Sequence, residues 1–371
     1  MPVLYVTEQG AEVGVRGPRL VVRKGRTVLG DVRMEDCPQV VLMGMVQVST
    51  QAVRALLDAG VEVLYLTRGG RFLGRLSGGL SGHIALRRRQ FGQLADPAFV
   101  RELAVRIVEG KVQNQQVLLR RYQAQVKDER IATALTRMRA LLGRLPSVST
   151  LDQVRGLEGM ASREFFGAFG RLIRAEGIVF TQRLRRPPPD PVNLLLSFGY
   201  TLLAGAIHGM VEQAGMDPYL GALHEPDRGR PSLVLDLMEE FRPILVDTTV
   251  IRVLNTRAIG LRDFAWPAEG EEAAIEDEWE REEWEDRGSA GDDRGDDDEE
   301  AAVPSGRRRL LLSPLGARKW VTAFERRLAE VIEYPPRGCR LTYRQILLEQ
   351  VYRMARHFQG KEEYRCFCYC W

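Results

Sequence analysis

The sequence has little cysteine and no long hydrophobic run. Five of its 371 residues are cysteines, and three of these fall within the last six positions, which is not the spacing of a disulfide framework. No apolar run reaches the roughly 20 residues that a bilayer-spanning helix needs, so no membrane contact is expected. The first residues lack the basic start and apolar run of a secretory signal. We therefore expect a soluble protein of the reducing cytoplasm.

The first 80 residues also lack a phosphate-binding glycine loop and a nucleophile elbow. The two commonest local signs of nucleotide binding and of serine hydrolase chemistry are therefore missing there. At 371 residues, 44% of them hydrophobic and 28% charged, the chain has the composition of a soluble globular protein, and its length predicts two domains.

Acidic residues are scarce outside one segment. Residues 269–300 hold eighteen of the 50 acidic residues but only three of the 53 basic ones, so the remainder has 32 acidic and 50 basic residues and a net charge of +18. Such a body attracts polyanions, first of all nucleic acid, although an arginine excess can also reflect genomic composition. The acidic segment 268–305 has too little apolar surface to fold, and we predict a disordered insertion. The more specific alternative is that this segment acts as a tethered polyanion, which competes with DNA for the basic remainder of the chain.

The pattern of the chain changes near residue 80 and predicts an α+β protein. Before that point, short apolar or alternating runs are separated by Gly, Pro or Asp turns, and one helix follows the capping residue Ser49. Strands are expected at 3–7, 12–15, 20–23, 27–32, 40–43, 61–67 and 71–76. Later, helical periodicity dominates, with the last two helices expected at 317–334 and 342–359. A small N-terminal β domain, residues 1–80, used for scaffolding or self-association, therefore precedes a larger all-α domain, residues 81–371.

Two helices of the second domain carry charges in informative positions. One begins at Asp96, and we expect its basic residues on an exposed face that either follows a phosphate backbone or is simply solvated. These residues are Arg101, Arg106, Lys111, Arg120 and Arg121. Another helix begins at Ser149 or Thr150, and Glu158 lies on its apolar stripe. A carboxylate facing a core must be paired, protonated or bound to a metal, and an ion pair with a buried arginine is the plainer explanation.

Residues 221–243, GALHEPDRGRPSLVLDLMEEFRP, combine a loop histidine with an acidic helix. Asp236 and Glu239 are three residues apart and share one helix face, within reach of His224. Imidazole and carboxylate groups of this kind hold divalent cations. A capped amphipathic helix whose acids face water explains the same spacing equally well.

Three further features have ordinary explanations. The apolar segment 193–214 is broken by glycines and polar residues, so we expect a buried core helix rather than a membrane span, with His208 satisfied inside it. Tyr200 of the same segment belongs either to the core or to a site. The C-terminal Cys-x-Cys-x-Cys, residues 366–370, has no nearby fourth ligand and is a weak zinc signal.

With these residues in view, the chain resembles the CRISPR-associated endonuclease and integrase family, Cas1, which inserts new spacers into CRISPR arrays. The resemblance extends over essentially the whole chain outside 268–305. Four stretches carry it: GLEGMASREFF at 156–166, RRPPPDPVNLLLSFGYTLL at 185–203, the stretch 221–243, and the helix with Lys111, Asn114 and Gln115. The third stretch is the most specific, since it includes both the histidine and the acidic helix. The acidic segment and the Cys-rich terminus depart from the family pattern, and neither departure removes a ligand.

The resemblance implies that the helical domain is catalytic and binds DNA. Its ligands to Mg²⁺ or Mn²⁺ would be Glu158, His224 and Glu239, with Asp236 as an auxiliary acid. The implied reaction is phosphoryl transfer at a DNA phosphodiester, in which the nucleophile is the 3′-hydroxyl of an incoming DNA end or, in nuclease activity, water. Tyr200 would be a candidate for positioning DNA near the metal, as would Arg230.

The resemblance also implies partners. These are double-stranded and branched DNA, a second copy of the chain in a homodimer, and the small CRISPR-associated protein Cas2 in an integration complex. Two interpretations from other classes stay open, namely a non-catalytic basic DNA-binding scaffold and a metal-dependent RNA nuclease or phosphoesterase. The intact set Glu158, His224 and Glu239 disfavours the scaffold, and a net charge of +18 disfavours small substrates.

Overall fold

The structure, a computed structural model, describes residues 3–78, 83–184, 188–225, 229–265 and 310–369. The chain divides into two compact units. The first consists of Met1–Ser81 and Leu312–Thr322, and the second of Gly82–Leu311 and Ala323–Trp371. The predicted acidic insertion lies outside the described residues, and so does Cys370.

The first unit is built on two four-stranded sheets. Its strands are β1 (Leu4–Val6), β2 (Glu12–Arg16), β3 (Arg19–Lys24), β4 (Thr27–Arg33), β5 (Gln39–Met43), β6 (Gln47–Val48), β7 (Glu62–Leu66) and β8 (Phe72–Leu76). One sheet has the order β1-β5-β7-β8, in which only β8 is antiparallel to its neighbour. The other has the order β4-β3-β2-β6. The sequence predicts seven of these strands, and β6, with two residues, is too short to show a pattern.

The core of the first unit lies between these sheets. Strand β5 is buried along its whole length, as expected for the middle of a parallel arrangement. Val13 and Leu20 of one sheet and Val40 and Val63 of the other share one apolar cluster. Helix α1 (Thr50–Asp58) begins at the predicted cap, because the Ser49 hydroxyl accepts the backbone N–H of Ala52.

From residue 83 onward the described part of the chain is mainly helical, which confirms the predicted α+β class with β structure first. Its helices are α2 (Ile84–Leu94), α3 (Pro97–Val126), α4 (Glu129–Arg144), α5 (Leu151–Phe169), α6 (Pro191–Gln213), α7 (Ser232–Glu239), α8 (Thr248–Asn255), α9 (Pro314–Ala329) and α10 (Tyr343–Phe358). Four short strands accompany them: β9 (Phe264–Ala265), β10 (Leu311–Leu312), β11 (Val331–Tyr334) and β12 (Cys339–Thr342).

One predicted helix is too long. Helix α9 ends at Ala329, whereas the periodicity predicts that it continues to residue 334. Residues 331–334 instead form β11, which pairs antiparallel with β12. Two β-branched residues, Val331 and Ile332, favour the strand, and Pro335 begins the turn that follows.

Four helices surround the region that contains Glu158, Asp236 and Glu239. Helix α3 packs against α5 and α7, and α6 packs against α7. Helix α7 does not end in a loop but passes through a π-helical segment, Arg242–Asp247, into α8. Within the described residues, α6 alone is long and apolar enough to cross a membrane, but 67% of its apolar window is buried in protein, as predicted for a core helix.

Candidate active site

Three helices bring Lys111 of α3, Glu158 of α5 and Glu239 of α7 together. The Lys111 ammonium forms an ion pair with Glu158 and lies 2.7 Å from Oε2 of Glu239. Lys111 is 7% exposed and Glu239 is 1% exposed, whereas the Glu158 side chain keeps 24% of its surface in solvent. Two carboxylates therefore face one buried cation, and solvent reaches the cluster from the Glu158 side.

The charges of this cluster stabilise one another. Burial acts to lower the pKa of Lys111, but the carboxylates of Glu158 and Glu239 outweigh it and raise that pKa above its ordinary value. Burial acts to raise the pKa of Glu239, but Arg242 and Lys111 hold it well below its usual range. Lys111 and Glu239 are therefore both charged at neutral pH, and the site presents a carboxylate rather than a carboxylic acid.

Asp236 holds the loop that carries His224. Its Oδ2 accepts hydrogen bonds from the backbone N–H groups of Ala222 and Leu223, at 2.6 and 3.0 Å. Its Oδ1 accepts the backbone N–H of His224 at 3.0 Å and lies 2.7 Å from Nδ1 of the same residue. When Nδ1 donates to Asp236, Nε2 carries the lone pair, and Nε2 lies 3.7 Å from Oε1 of Glu239. The imidazole is thus oriented with a ligating nitrogen toward Glu239.

The loop can approach α7 this closely because residue 221 is glycine. A Cβ on Gly221 would lie 2.6 Å from Oδ2 of Asp236 and 2.6 Å from the carbonyl carbon of Ser232, so a larger residue would push the loop away. Arg155 of α5 adds a second tie, since its Nε donates to the carbonyl of Leu223 at 2.9 Å. The loop is therefore fixed to both α5 and α7.

A second buried network supports Glu239. Arg242, the first residue of the π-helical segment, places Nη1 3.3 Å from Oε1 of Glu239 and its guanidinium 4.9 Å from the centroid of the Tyr200 ring. The Tyr200 hydroxyl donates to Oδ1 of Asp247 at 2.6 Å. Burial raises the pKa of Asp247 to about 7, although the Tyr200 hydrogen bond and Arg242 act to lower it. Tyr200 is therefore part of the buried support for Glu239.

The donor set suits a metal site of mixed nitrogen and oxygen ligands. Oε2 of Glu239 is buried, and the cation that faces it is the Lys111 ammonium, 2.7 Å away. In the described part of the chain, no three His, Cys, Asp or Glu side chains already form a cage for an ion. The donors Glu158, His224 and Glu239 thus fit a divalent ion in competition with the Lys111 ammonium.

The structure decides two alternatives that the sequence left open and corrects one expectation about these residues. The acids of α7 do not face water, since Asp236 and Glu239 are each 1% exposed. Lys111 is not on the exposed basic face of α3 but inside the cluster. Glu158 does have an ion-pair partner, which is this lysine rather than an arginine.

Sequence reasoning also missed three supports of the site. Lys111 could have been found, because its helical spacing from Ile107 and Leu118 places it on the apolar stripe of α3, which the structure shows to be buried. Arg242 and Asp247 gave no comparable signal, since their packing depends on the π-helical turn between α7 and α8.

We predict that Asp236→Asn weakens both the loop and the activity of the site. A carboxylate accepts all four donors that face Asp236, whereas an asparagine must turn its NH₂ group toward two of them. The expected cost is about 1–3 kcal/mol of unfolding free energy, and activity should fall about 10–100-fold. Thermal unfolding and DNA cleavage would be measured beside Glu225→Gln, whose side chain in the same loop is 67% exposed. Wild-type values for Asp236→Asn would show that Asp236 does not position His224.

Comparisons with known proteins agree on one family. A family model described as CRISPR associated protein Cas1 matches residues 4–282. The CRISPR-associated endonuclease Cas1 3 of Thermus thermophilus is 34% identical over 361 residues, which cover 97% of this chain and 94% of that protein.

Solved structures share the fold. A casposase bound to its integration product matches 99% of this chain and 93% of its own, with a TM-score of 0.78 and 22% identity. A Cas6-RT-Cas1–Cas2 complex contains a chain that matches all of this one over 36% of its own length, with a TM-score of 0.79 and 22% identity. At these identities the likeness concerns the fold alone.

Proposed function

Because the chain belongs to the Cas1 family of CRISPR-associated proteins, we propose that it is a divalent-metal-dependent DNA endonuclease and integrase. It would insert short DNA fragments as new spacers into a CRISPR array, the adaptation stage of antiviral defence. The observation that carries the proposal is the meeting of Glu158, His224 and Glu239, from three separate segments, in one partly buried cluster.

We assign Glu158, His224 and Glu239 as the residues that hold Mg²⁺ or Mn²⁺. When bound, the ion polarises the scissile phosphate and offsets negative charge in the transition state. An imidazole ligand favours Mn²⁺ over Mg²⁺, because Mg²⁺ prefers oxygen ligands. Asp236 fixes the orientation of the imidazole, and Arg242 keeps Glu239 ionised and in place.

The reaction transfers a phosphodiester of the target DNA to the 3′-hydroxyl of an incoming DNA end. In integration, the oxygen of an incoming 3′-hydroxyl attacks the target phosphorus, the bond from phosphorus to the leaving oxygen breaks, and that oxygen takes up a proton. In cleavage, water replaces the 3′-hydroxyl. The Lys111 ammonium offsets the charge of Glu158 and Glu239, which would otherwise repel an approaching phosphate.

Exposed arginines on the helices that carry Lys111 and Glu158 supply contacts to the DNA backbone. Arg120 and Arg121 near the end of α3 are exposed, and Arg163 is exposed on the helix that carries Glu158. Neutralising several phosphates makes binding steeply dependent on salt. We therefore propose double-stranded and branched DNA as substrates.

The proposed assembly is a homodimer that works with Cas2 in the cytoplasm. The family resemblance implies both partners, and a fold neighbour has been solved as a Cas6-RT-Cas1–Cas2 complex. The DNA chemistry assigned above needs only this chain, so nuclease activity can be measured before the assembly is reconstituted.

The test uses purified protein and branched DNA that mimics a half-integrated spacer. Strand transfer and cleavage would be followed with Mn²⁺, Mg²⁺ or EDTA for the wild type, for His224→Ala and for the control His83→Ala, which changes an exposed histidine. We expect metal-dependent activity in the wild type and His83→Ala, and none in His224→Ala.

Other outcomes would favour the competing interpretations. Tight, salt-sensitive DNA binding without chemistry, even after Cas2 is added, would indicate a DNA-binding scaffold. Metal-dependent cleavage of RNA but not of DNA would indicate an RNA nuclease. Equal activity of His224→Ala and the wild type would remove His224 from the site.

A further inference from the structure

We propose that residues 364–369, the C-terminal strap, position Glu239 through its chain neighbour Glu240 and through Asn114 of α3. The proposal rests on the proposed function, in which Glu239 is a metal ligand. The strap follows α10 and lies against α3 and the end of α7. It is far from the site in sequence, and its role is one of positioning rather than catalysis.

Asn114 ties the strap to two helices. Its Nδ2 donates to the carbonyl of Glu240 and to the carbonyl of Phe367, each at 2.8 Å, and its Oδ1 accepts the backbone N–H of Tyr369 at 2.9 Å. Asn114 is 1% exposed and lies one turn after Lys111. One buried amide group therefore joins the helix that carries Lys111, the end of α7 and the strap.

Glu240 makes a second connection between the strap and α7. Its buried carboxylate accepts the backbone N–H of Phe367 at 2.7 Å, the hydroxyl of Tyr364 at 3.0 Å and Nε2 of Gln350 at 3.2 Å. Gln350 of α10 also donates to the carbonyl of Arg365 in the strap, at 3.2 Å. A buried carboxylate is costly without such donors, so the end of α7 and the strap depend on each other.

The strap can lie close to α3 because residue 110, which faces Cys366, is a glycine. A Cβ on Gly110 would lie 2.3 Å from Cβ of Cys366 and 2.8 Å from its Sγ. The ring of Phe367 stacks on Phe241, just after α7, with centroids 5.9 Å apart and planes 12° apart. Since Gly110 directly precedes Lys111, the close approach of Cys366 to α3 lies next to the active-site lysine.

These contacts act on the residue next to Glu239. Regular α-helical hydrogen bonding is interrupted after α7, where the π-helical segment begins at Arg242. The orientation of this helix end therefore depends on tertiary contacts, and Asn114 and the strap supply them. Without these contacts, the Glu239 carboxylate would shift relative to Lys111 and His224 while the helices remain folded.

The test compares Gly110→Ala and Asn114→Ala with Arg365→Ala, a matched control with an exposed side chain in the strap. Alanine is the better helix former, so Gly110→Ala removes the strap contact without weakening α3. Readouts are kcat and KM on branched DNA, Mn²⁺ affinity by electron paramagnetic resonance, and thermal unfolding. In Gly110→Ala and Asn114→Ala we expect kcat to fall about 10–100-fold and Mn²⁺ affinity about tenfold, with KM for DNA changed less than about twofold. Arg365→Ala should match the wild type.

A second substitution makes the test specific. Cys366→Gly removes the atoms that the new methyl group of Gly110→Ala would meet, but it also removes the contact of the thiol with the Arg106 carbonyl at 3.1 Å. The double variant should therefore regain part of the lost Mn²⁺ affinity and kcat. Wild-type kcat and Mn²⁺ affinity in both Gly110→Ala and Asn114→Ala would overturn the strap proposal and leave the proposed function intact. A lower unfolding temperature with unchanged Mn²⁺ affinity would also overturn it. Weaker Mn²⁺ binding in the variants, with no DNA chemistry in any form of the protein, would support the strap and overturn the proposed function.

Discussion

Replacing Glu158 with alanine is expected to lower strand transfer and DNA cleavage by at least about 100-fold, because a proposed metal ligand is lost. DNA binding should change less than about twofold, since the arginines assigned to the DNA backbone are all unchanged. The fold should persist for two reasons. Lys111 retains Glu239 as a counterion at 2.7 Å, and the Glu158 side chain is already 24% exposed, so its loss leaves no sealed cavity.

The measurement pairs an activity assay with a binding assay on the same branched DNA. Glu164→Ala is the matched control, because Glu164 lies six positions further along α5 and pairs with the exposed Arg137. It should match the wild type in both assays. If Glu158→Ala lost DNA binding together with activity, Glu158 would have a role in folding rather than in metal binding.

The strands of the first 80 residues were predictable because their signals are local. Glycine and proline turns separate the strands, and a serine cap marks α1, so each element can be recognised within about ten residues of sequence. Strand β5 is a short continuous apolar run, and it is buried throughout. Only β6, which consists of Gln47 and Val48, carries too few residues to show periodicity.

The site was predictable in part, and the reason lies in sequence distance. The 221–243 stretch contains His224, Asp236 and Glu239, so their proximity follows from one loop and one helix. Glu158 was singled out by its place on an apolar stripe. Its partner Lys111 is 47 positions away. Asn114 of α3 and Tyr369 of the strap, which share a hydrogen bond, are 255 positions apart. Helical periodicity predicts which face of a helix is buried, but it does not predict contacts between residues so far apart in the sequence.

The burial of Lys111 leads to the second large effect that we expect. Lys111→Met replaces the cation with an apolar side chain of similar length and leaves the carboxylates of Glu158 and Glu239 facing each other. Removing one partner of a buried ion pair costs about 3–5 kcal/mol, because the remaining charge stays buried. Part of the cost is relieved, since Glu158 is partly exposed and Arg242 remains 3.3 Å from Glu239. In metal-free buffer we expect the unfolding temperature to fall by roughly 10 °C.

The same substitution distinguishes a metal site from a structural ion pair. If Mn²⁺ and the Lys111 ammonium compete for the two glutamates, Mn²⁺ should raise the unfolding temperature of Lys111→Met more than that of the wild type. Saturation at 100 times the dissociation constant restores about 2.7 kcal/mol, most of the expected loss. Calorimetry in EDTA and in Mn²⁺ measures both effects, with Lys361→Met, which changes an exposed lysine, as the control. A variant destabilised equally with and without Mn²⁺ would mean that Lys111, Glu158 and Glu239 form a structural cluster, and the metal ligands would have to be sought elsewhere.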